Sequence, residues 1–239
     1  MTGGGDSEHF RQLDQHFISL LSKEASLLFI PLAGEPEDYN DGLERIQQTF
    51  STIEFENIEM CLDLDTLTWD YLAEFDAIYI DGGNTFKLMD AIRRSHFYEL
   101  TRQFLHFGGV INGDSAGAII MGSHLETAHF GDMGDENESG LKCYQGLNFL
   151  GDIAIHCHYQ PGPEEEEIAR FVDDYGFPVL ALREETGVYI GDGMLHVIGE
   201  TPATYFSPLN THVVEPGQMF PLQPMAVFDP KLMQQFQSR

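Results

Sequence analysis

Ser115 sits in Gly113-Asp114-Ser115-Ala116-Gly117, a Gly-x-Ser-x-Gly spacing preceded by the apolar Val110-Ile111 and followed by Ile119-Ile120-Met121. A strand that turns tightly into a helix lifts the middle hydroxyl onto a strained corner at the helix N-terminus, where it can attack a carbonyl. The same small residues also suit a plain packing turn, so the spacing alone does not make a nucleophile. A hydroxyl needs a base within hydrogen-bond reach, a group to orient that base, and amide donors where negative charge develops. His156 and His158 follow the apolar Ile153-Ala154-Ile155, and strand alternation puts both on one face while Cys157 points away. Asp132, Asp135 and Glu136, in the polar stretch 131–138, are the candidate acids. The amide of Ala116 is one oxyanion donor, and Gly83 offers a second because no side chain blocks its approach. Taken singly, a histidine at a strand end is usually structural and an acidic loop is usually solvated. Their joint position at strand ends makes the chemical reading the stronger one.

The elements that must position these groups alternate. Amphipathic spacing of Phe10, Leu13, Phe17, Leu20 and Leu21 predicts a helix. Buried strands are expected over 26–33, 75–80 and 110–112, with a further one near 58–62. Helices are expected from about Asn40, in 64–72, from Phe86 onward and over 97–107, the last capped at Gly108-Gly109. Strands alternating with helices in this rhythm predict one α/β domain over 1–239, a mainly parallel sheet with helices on both faces in three layers. Sites in such sheets form at the carboxyl ends of strands, where the Gly82-Gly83-Asn84-Thr85 loop and Ser115 both lie. Further on, Pro163 begins a helix with Glu164, Glu165, Glu166 and Glu167 in its first turn, and Gly191-Asp192-Gly193 marks a hairpin between two short strands.

Twelve Lys and Arg against 39 Asp and Glu leave a formal charge of −27, which excludes a nucleic-acid or anionic-membrane surface. No apolar run is long enough to span a bilayer and the first residues have no secretory pattern, so a cytoplasmic protein is expected. Cys61, Cys143 and Cys157 match neither a zinc nor a disulfide spacing and read as buried free thiols. Gly3-Gly4-Gly5-Asp6-Ser7 lacks the lysine of a phosphate-binding loop and reads as a turn beside the main site. No metal or organic cofactor is implied. A homodimer is expected for such a domain with exposed edges. An ordinary α/β-hydrolase shares the order serine, acid, histidine, but there the acid and histidine usually come from strands farther downstream.

These residues resemble the dipeptidase E and cyanophycinase group of serine peptidases, which share a fold with class I glutamine amidotransferases. The resemblance runs through Thr2-Gly3-Gly4-Gly5-Asp6-Ser7, Ile30-Pro31-Leu32-Ala33, Gly82-Gly83-Asn84-Thr85-Phe86-Lys87-Leu88, Gly113 to Ala118, Asp135 to Leu141 and His158-Tyr159. An amidotransferase would carry cysteine where Ser115 stands. The resemblance implies a serine peptidase acting on short peptides or isopeptides, with Ser115 as nucleophile, His158 as base, Asp135 as the acid, and the Gly83 and Ala116 amides as oxyanion hole. Asp132, Glu136 and His156 are the alternatives for acid and base, and a catalytically silent binding protein of the same fold is the alternative function.

Two departures qualify the resemblance. Only Met1 and Thr2 precede the glycine loop, where family members usually carry a short strand, so either that strand is truncated or the start site lies upstream. Aspartyl dipeptidases place a basic residue after the catalytic histidine to pair with an acidic substrate side chain, whereas here Glu164 to Glu167 occupy that segment. Asn84 and Glu164 are the candidate substrate contacts. Glutamates lining the pocket would disfavour an N-terminal aspartate and favour a free amino group or a basic side chain.

Overall fold

Strand β1 (Ser26–Ile30) shows why a parallel sheet forms here: Leu27, Leu28, Phe29 and Ile30 are all fully buried, so both faces must be covered. The computed structural model describes residues 1–4, 11–22, 24–51, 55 and 57–222. In it β1 pairs in parallel with β2 (Asn57–Met60) on one side and β3 (Ala77–Ile80) on the other, and β3 pairs in parallel with β4 (Val110–Gly113), giving the order β2-β1-β3-β4. On one face Leu27, Phe29, Ala77 and Tyr79 pack beneath α1 (Arg11–Ser19) and α2 (Tyr39–Thr49), through Phe17, Ile46 and Phe50. On the other, Leu28, Ile30, Ile78 and Ile80 meet α3 (Trp69–Leu72), α4 (Thr85–Arg93) and α5 (Phe97–His106) through Leu72, Phe86, Leu88, Met89 and Phe97. Each fully buried side chain of this kind contributes about 1.5–3 kcal/mol. The expected three layers are therefore present.

The elbow helix α6 (Ala116–Ile119) is a single turn, shorter than its apolar continuation suggests. Gly117 allows it to sit close on the sheet, since a Cβ there would lie 2.3 Å from the Ile80 carbonyl oxygen. Beyond it, β5 (Ala154–His156) pairs in parallel with β6 (Val179–Ala181), which joins β9 (Ala203–Phe206) and β10 (Thr211–Val214) in antiparallel fashion. Helix α7 (Glu165–Tyr175) covers this sheet with Ile168, Phe171 and Val172. The hairpin expected around Gly191-Asp192-Gly193 joins β7 (Thr186–Gly191) to β8 (Met194–Gly199), with Asp192 at φ 52° and Gly193 at φ 74°, and β11 (Met219–Pro221) pairs with β8.

Met1 to Gly3 stitch these parts together. Thr2 bridges Asp114 in parallel and Gly187 in antiparallel fashion, so the residues before the glycine loop occupy a strand position between β4 and β7. Residues 5–10 of the glycine-loop segment, including Asp6 and Ser7, lie outside the described residues.

Candidate active site

Ser115 has φ 47° and ψ −108°, a conformation that costs a non-glycine residue about 1–3 kcal/mol and persists only where the surroundings impose it. They do so through the Ser115 amide, which donates to Thr2 O at 3.2 Å, and through Gly117, whose amide donates to Asp114 O at 2.8 Å. The turn lifts Ser115 Oγ to 2.8 Å from His158 Nε2. His158 Nδ1 lies 3.2 Å from Glu184 Oε1. A proton on Nδ1 donated to Glu184 leaves Nε2 free to accept from the serine hydroxyl, as a general base requires.

Sheet adjacency explains how Glu184 reaches His158. The pairing of β5 with β6 continues past both strands, with Leu182 N on His156 O at 2.8 Å and Tyr159 N on Leu182 O at 3.0 Å. Glu184 leaves β6 two residues after Leu182, beside the loop that carries His158. Its side chain is about half exposed, with 47% of its surface open, whereas that of His158 is 21% exposed. Gly4, at φ 90°, lies against the imidazole: a Cβ there would fall 2.1 Å from His158 Cε1.

Three residues expected at the site make contacts elsewhere in the scaffold. Asp135, expected to orient His158, instead accepts the Thr85 amide on Oδ2 at 2.8 Å, at the start of α4. Burial pushes its carboxyl up from the ordinary range, against the lowering effect of the Thr85 hydrogen bonds. Glu164, expected to contact substrate, is buried and accepts from His156 Nε2 at 2.8 Å and from Gln160 N at 3.0 Å. Asn84, also expected to contact substrate, caps α4: its Oδ1 accepts the Phe86 and Lys87 amides at 3.0 Å each, and its Nδ2 donates to Glu136 O at 2.9 Å. Glu165 takes the Tyr159 hydroxyl, Glu166 pairs with Arg170, and Glu167 takes the Gly131 amide, so all four glutamates are engaged around α7. Asp132 and Glu136 have exposed side chains on the acidic loop.

The two histidines do not share a face. His156 ends β5 and turns to Glu164 and to Thr127 O, at 3.2 Å, whereas His158 has φ 57° and has left the strand, so side-chain alternation no longer applies to it. Cys157 donates from Sγ to Thr2 O and Ser115 O, at 3.7 and 3.6 Å, and burial raises its pKa far above that of a reactive thiol.

Of the two expected oxyanion donors, Gly83 lines the same cavity as Ser115 and Ala116 follows the serine directly. Gly83, at φ 134°, is packed so closely on the Ala33-Gly34 backbone that a Cβ would lie 2.4 Å from Ala33 O. Ala116 opens α6 directly after the serine. Ser115, His158, Gly83, Gly4 and Asp135 all line one cavity of about 390 Å³. The described residues around it include no Lys or Arg. Among the described residues no group of His, Cys, Asp and Glu could hold a metal ion, and no helix is long and apolar enough to cross a membrane.

Comparison with known proteins places this geometry in a lineage. The model of peptidase family S51 matches residues 1–198. Peptidase E of Shewanella denitrificans is 26% identical over 200 residues, covering 80% of this chain and 82% of the relative. An uncharacterized peptidase of Pasteurella multocida is 29% identical over 154 residues, covering 63% of this chain and 72% of the relative. Among solved structures, a peptidase from an acI-B1 Actinobacterium shares the fold at a TM-score of 0.66 and 15% identity, covering 92% and 95% of the two chains. A putative peptidase E from Listeria monocytogenes EGD-e does so at a TM-score of 0.58 and 20% identity, covering 86% and 94%. Because the family match spans the serine elbow, the histidine loop and the segment after β6 that carries Glu184, the chain belongs to peptidase family S51 and is a serine peptidase of the peptidase E type.

Proposed function

We propose that the protein hydrolyses short peptides through Ser115, His158 and Glu184. The observation that carries this reading is the 2.8 Å approach of Ser115 Oγ to His158 Nε2, across 43 residues of chain, on a serine whose backbone is strained. Ser115 Oγ attacks the peptide carbonyl while His158 Nε2 takes its proton. Glu184 holds the imidazole in the required tautomer and stabilises the imidazolium that forms. The Gly83 and Ala116 amides face the oxygen on which negative charge develops. His158 then protonates the leaving amine, and water hydrolyses the resulting ester by the same relay in reverse.

In this reading Glu184 takes the place that the resemblance gave to Asp135, because its Oε1 lies within reach of Nδ1. Ser115→Ala should abolish labelling by a fluorophosphonate and turnover of a cleaved peptide. Unchanged turnover in that variant would overturn the assignment.

A further inference from the structure

A peptide that brings a carbonyl to Ser115 must also place the side chain of the residue it is cut after, and the wall beside the serine is apolar. Ile119 stands one helical turn after Ser115, its amide donating to Ser115 O at 2.9 Å. Ala128 and Phe130 line the same cavity and are buried, and Met133 joins them from the acidic loop. At about 390 Å³ the cavity is at the small end of the roughly 300–1,000 Å³ seen for ligand pockets. It suits one side chain of moderate size beside the reacting peptide unit.

The polar groups around that wall are already engaged. His156 faces an acceptor at each ring nitrogen, Thr127 O at 3.2 Å from Nδ1 and Glu164 Oε2 at 2.8 Å from Nε2, so it keeps no N–H for a substrate carboxylate. Thr127 Oγ1 donates to Ile155 O at 2.5 Å, Asp114 takes the Thr2 hydroxyl at 2.5 Å, and Asp135 takes the Thr85 amide at 2.8 Å. With no Lys or Arg among the described residues lining the cavity, nothing there neutralises an acidic side chain. A basic one would give up its hydration to share a carboxylate already bound to the scaffold.

Met133 is the exception to the burial of the wall, at 64% exposed. The loop that carries it is nonetheless fixed on both sides. The Gly131 amide donates to Glu167 Oε2 at 3.2 Å, the Gly134 amide to Gly131 O at 3.3 Å, and the Asp135 amide to Ala128 O at 2.7 Å. This turn holds a large, adaptable apolar side chain in water at the cavity edge, where a bound side chain would cover it.

We propose that the enzyme cleaves after an apolar residue of moderate size, such as leucine or methionine, and that Met133 packs on that side chain and sets the preference. The proposal rests on the serine peptidase reading of Ser115. It replaces the preference for a basic residue that the glutamates of α7 suggest in the sequence.

Amino acid p-nitrophenyl esters separate the two claims, because they share one leaving group and differ only on the acyl side. The Ser115 Oγ–acyl bond forms, the bond to p-nitrophenolate breaks with its electron pair, and the hydroxyl proton passes to His158. The kcat/KM for p-nitrophenolate release, above the rate with Ser115→Ala, is compared for the leucine, alanine, lysine and aspartate esters. The leucine ester should react at least about tenfold faster than each of the others. Met133→Ser should reduce the leucine-to-alanine ratio by about fivefold or more while leaving alanine within about twofold, and Met133→Leu should restore it. An alanine, lysine or aspartate ester as fast as the leucine ester would overturn the proposal. So would an unchanged ratio in M133S, or an equal fall for leucine and alanine, which would mean that Met133 only supports the loop. Absence of any Ser115-dependent release, together with absence of fluorophosphonate labelling in the wild type, would instead refute the peptidase reading.

Discussion

Glu184 Oε1 stands 3.2 Å from His158 Nδ1 although 26 residues separate them, and the link exists because β5 and β6 are parallel neighbours whose pairing runs on beyond their ends. Glu184 and His158 thus come from adjacent strand ends, while Ser115 comes from the other sheet. Because the carboxylate is about half open to solvent, its field at the imidazole is screened more than that of a fully buried acid.

Glu184→Gln should therefore lower kcat by about tenfold to a hundredfold, less than the roughly 10⁴-fold seen for a buried triad acid. Steady-state kinetics on a cleaved peptide measure this, and a variant with wild-type kcat would show that Glu184 does not orient the base.

Gly4→Ala places a methyl group where His158 Cε1 now lies, 2.1 Å from the position of the added carbon, at a φ of 90° that alanine resists. The imidazole must move, and kcat should fall by about a hundredfold with a stability loss of about 1–3 kcal/mol. Fluorophosphonate labelling rate and thermal unfolding read the two effects separately.

The His156–Glu164 pair is buried, with side chains 3% and 8% exposed. Glu164→Ala leaves His156 without its partner and should cost about 3–5 kcal/mol in denaturant unfolding. Burial pushes the Glu164 carboxyl up, but the hydrogen bonds from His156 and Gln160 outweigh it and the net shift is downward. A carboxyl lowered on folding adds stability above its unfolded pKa, and that contribution is lost as pH falls through the folded value. Wild-type stability should fall below about pH 4.5, the ordinary glutamate value, and E164A should lose part of that dependence.

Asp14, in the first turn of α1, behaves in the opposite way: burial and then the charge of Asp114 raise its carboxyl to about 6. Its contribution to stability is greatest at low pH and declines as pH rises from its unfolded value toward 6. Asp14→Asn should raise Tm by about 2–4 °C at pH 7.5 and leave it unchanged near pH 4, measured by scanning calorimetry.

The parallel strands, the flanking helices and the Ser115 elbow are legible in the sequence because each is signalled within a few residues: apolar runs, small residues at a turn, a glycine after a helix. The Asp192-Gly193 hairpin is legible for the same reason. Glu184 is not, because the resemblance directs attention to acids between Ser115 and His158, whereas the partner lies beyond both. The rule that sites gather at strand carboxyl ends points to it, since Glu184 follows the apolar run 178–182. The parts played by Asn84, Asp135 and Glu164 depend on which distant amides and rings they meet, and no local pattern carries that information. His156 and His158 look equivalent until the φ of 57° at His158 takes it out of the strand.

Consecutive carbonyls of the first residues hold both reacting partners, since Thr2 O accepts the Ser115 amide at 3.2 Å and Gly3 O accepts the His158 amide at 2.9 Å. One peptide unit thus acts as a spacer between nucleophile and base. The partners of that spacer lie far away along the chain: Ser115, His158 and, through the Gly3 amide, the Thr186 carbonyl at the start of β7. The hydrolytic centre therefore closes only when contacts of long sequence separation have formed, the kind that folding makes slowly.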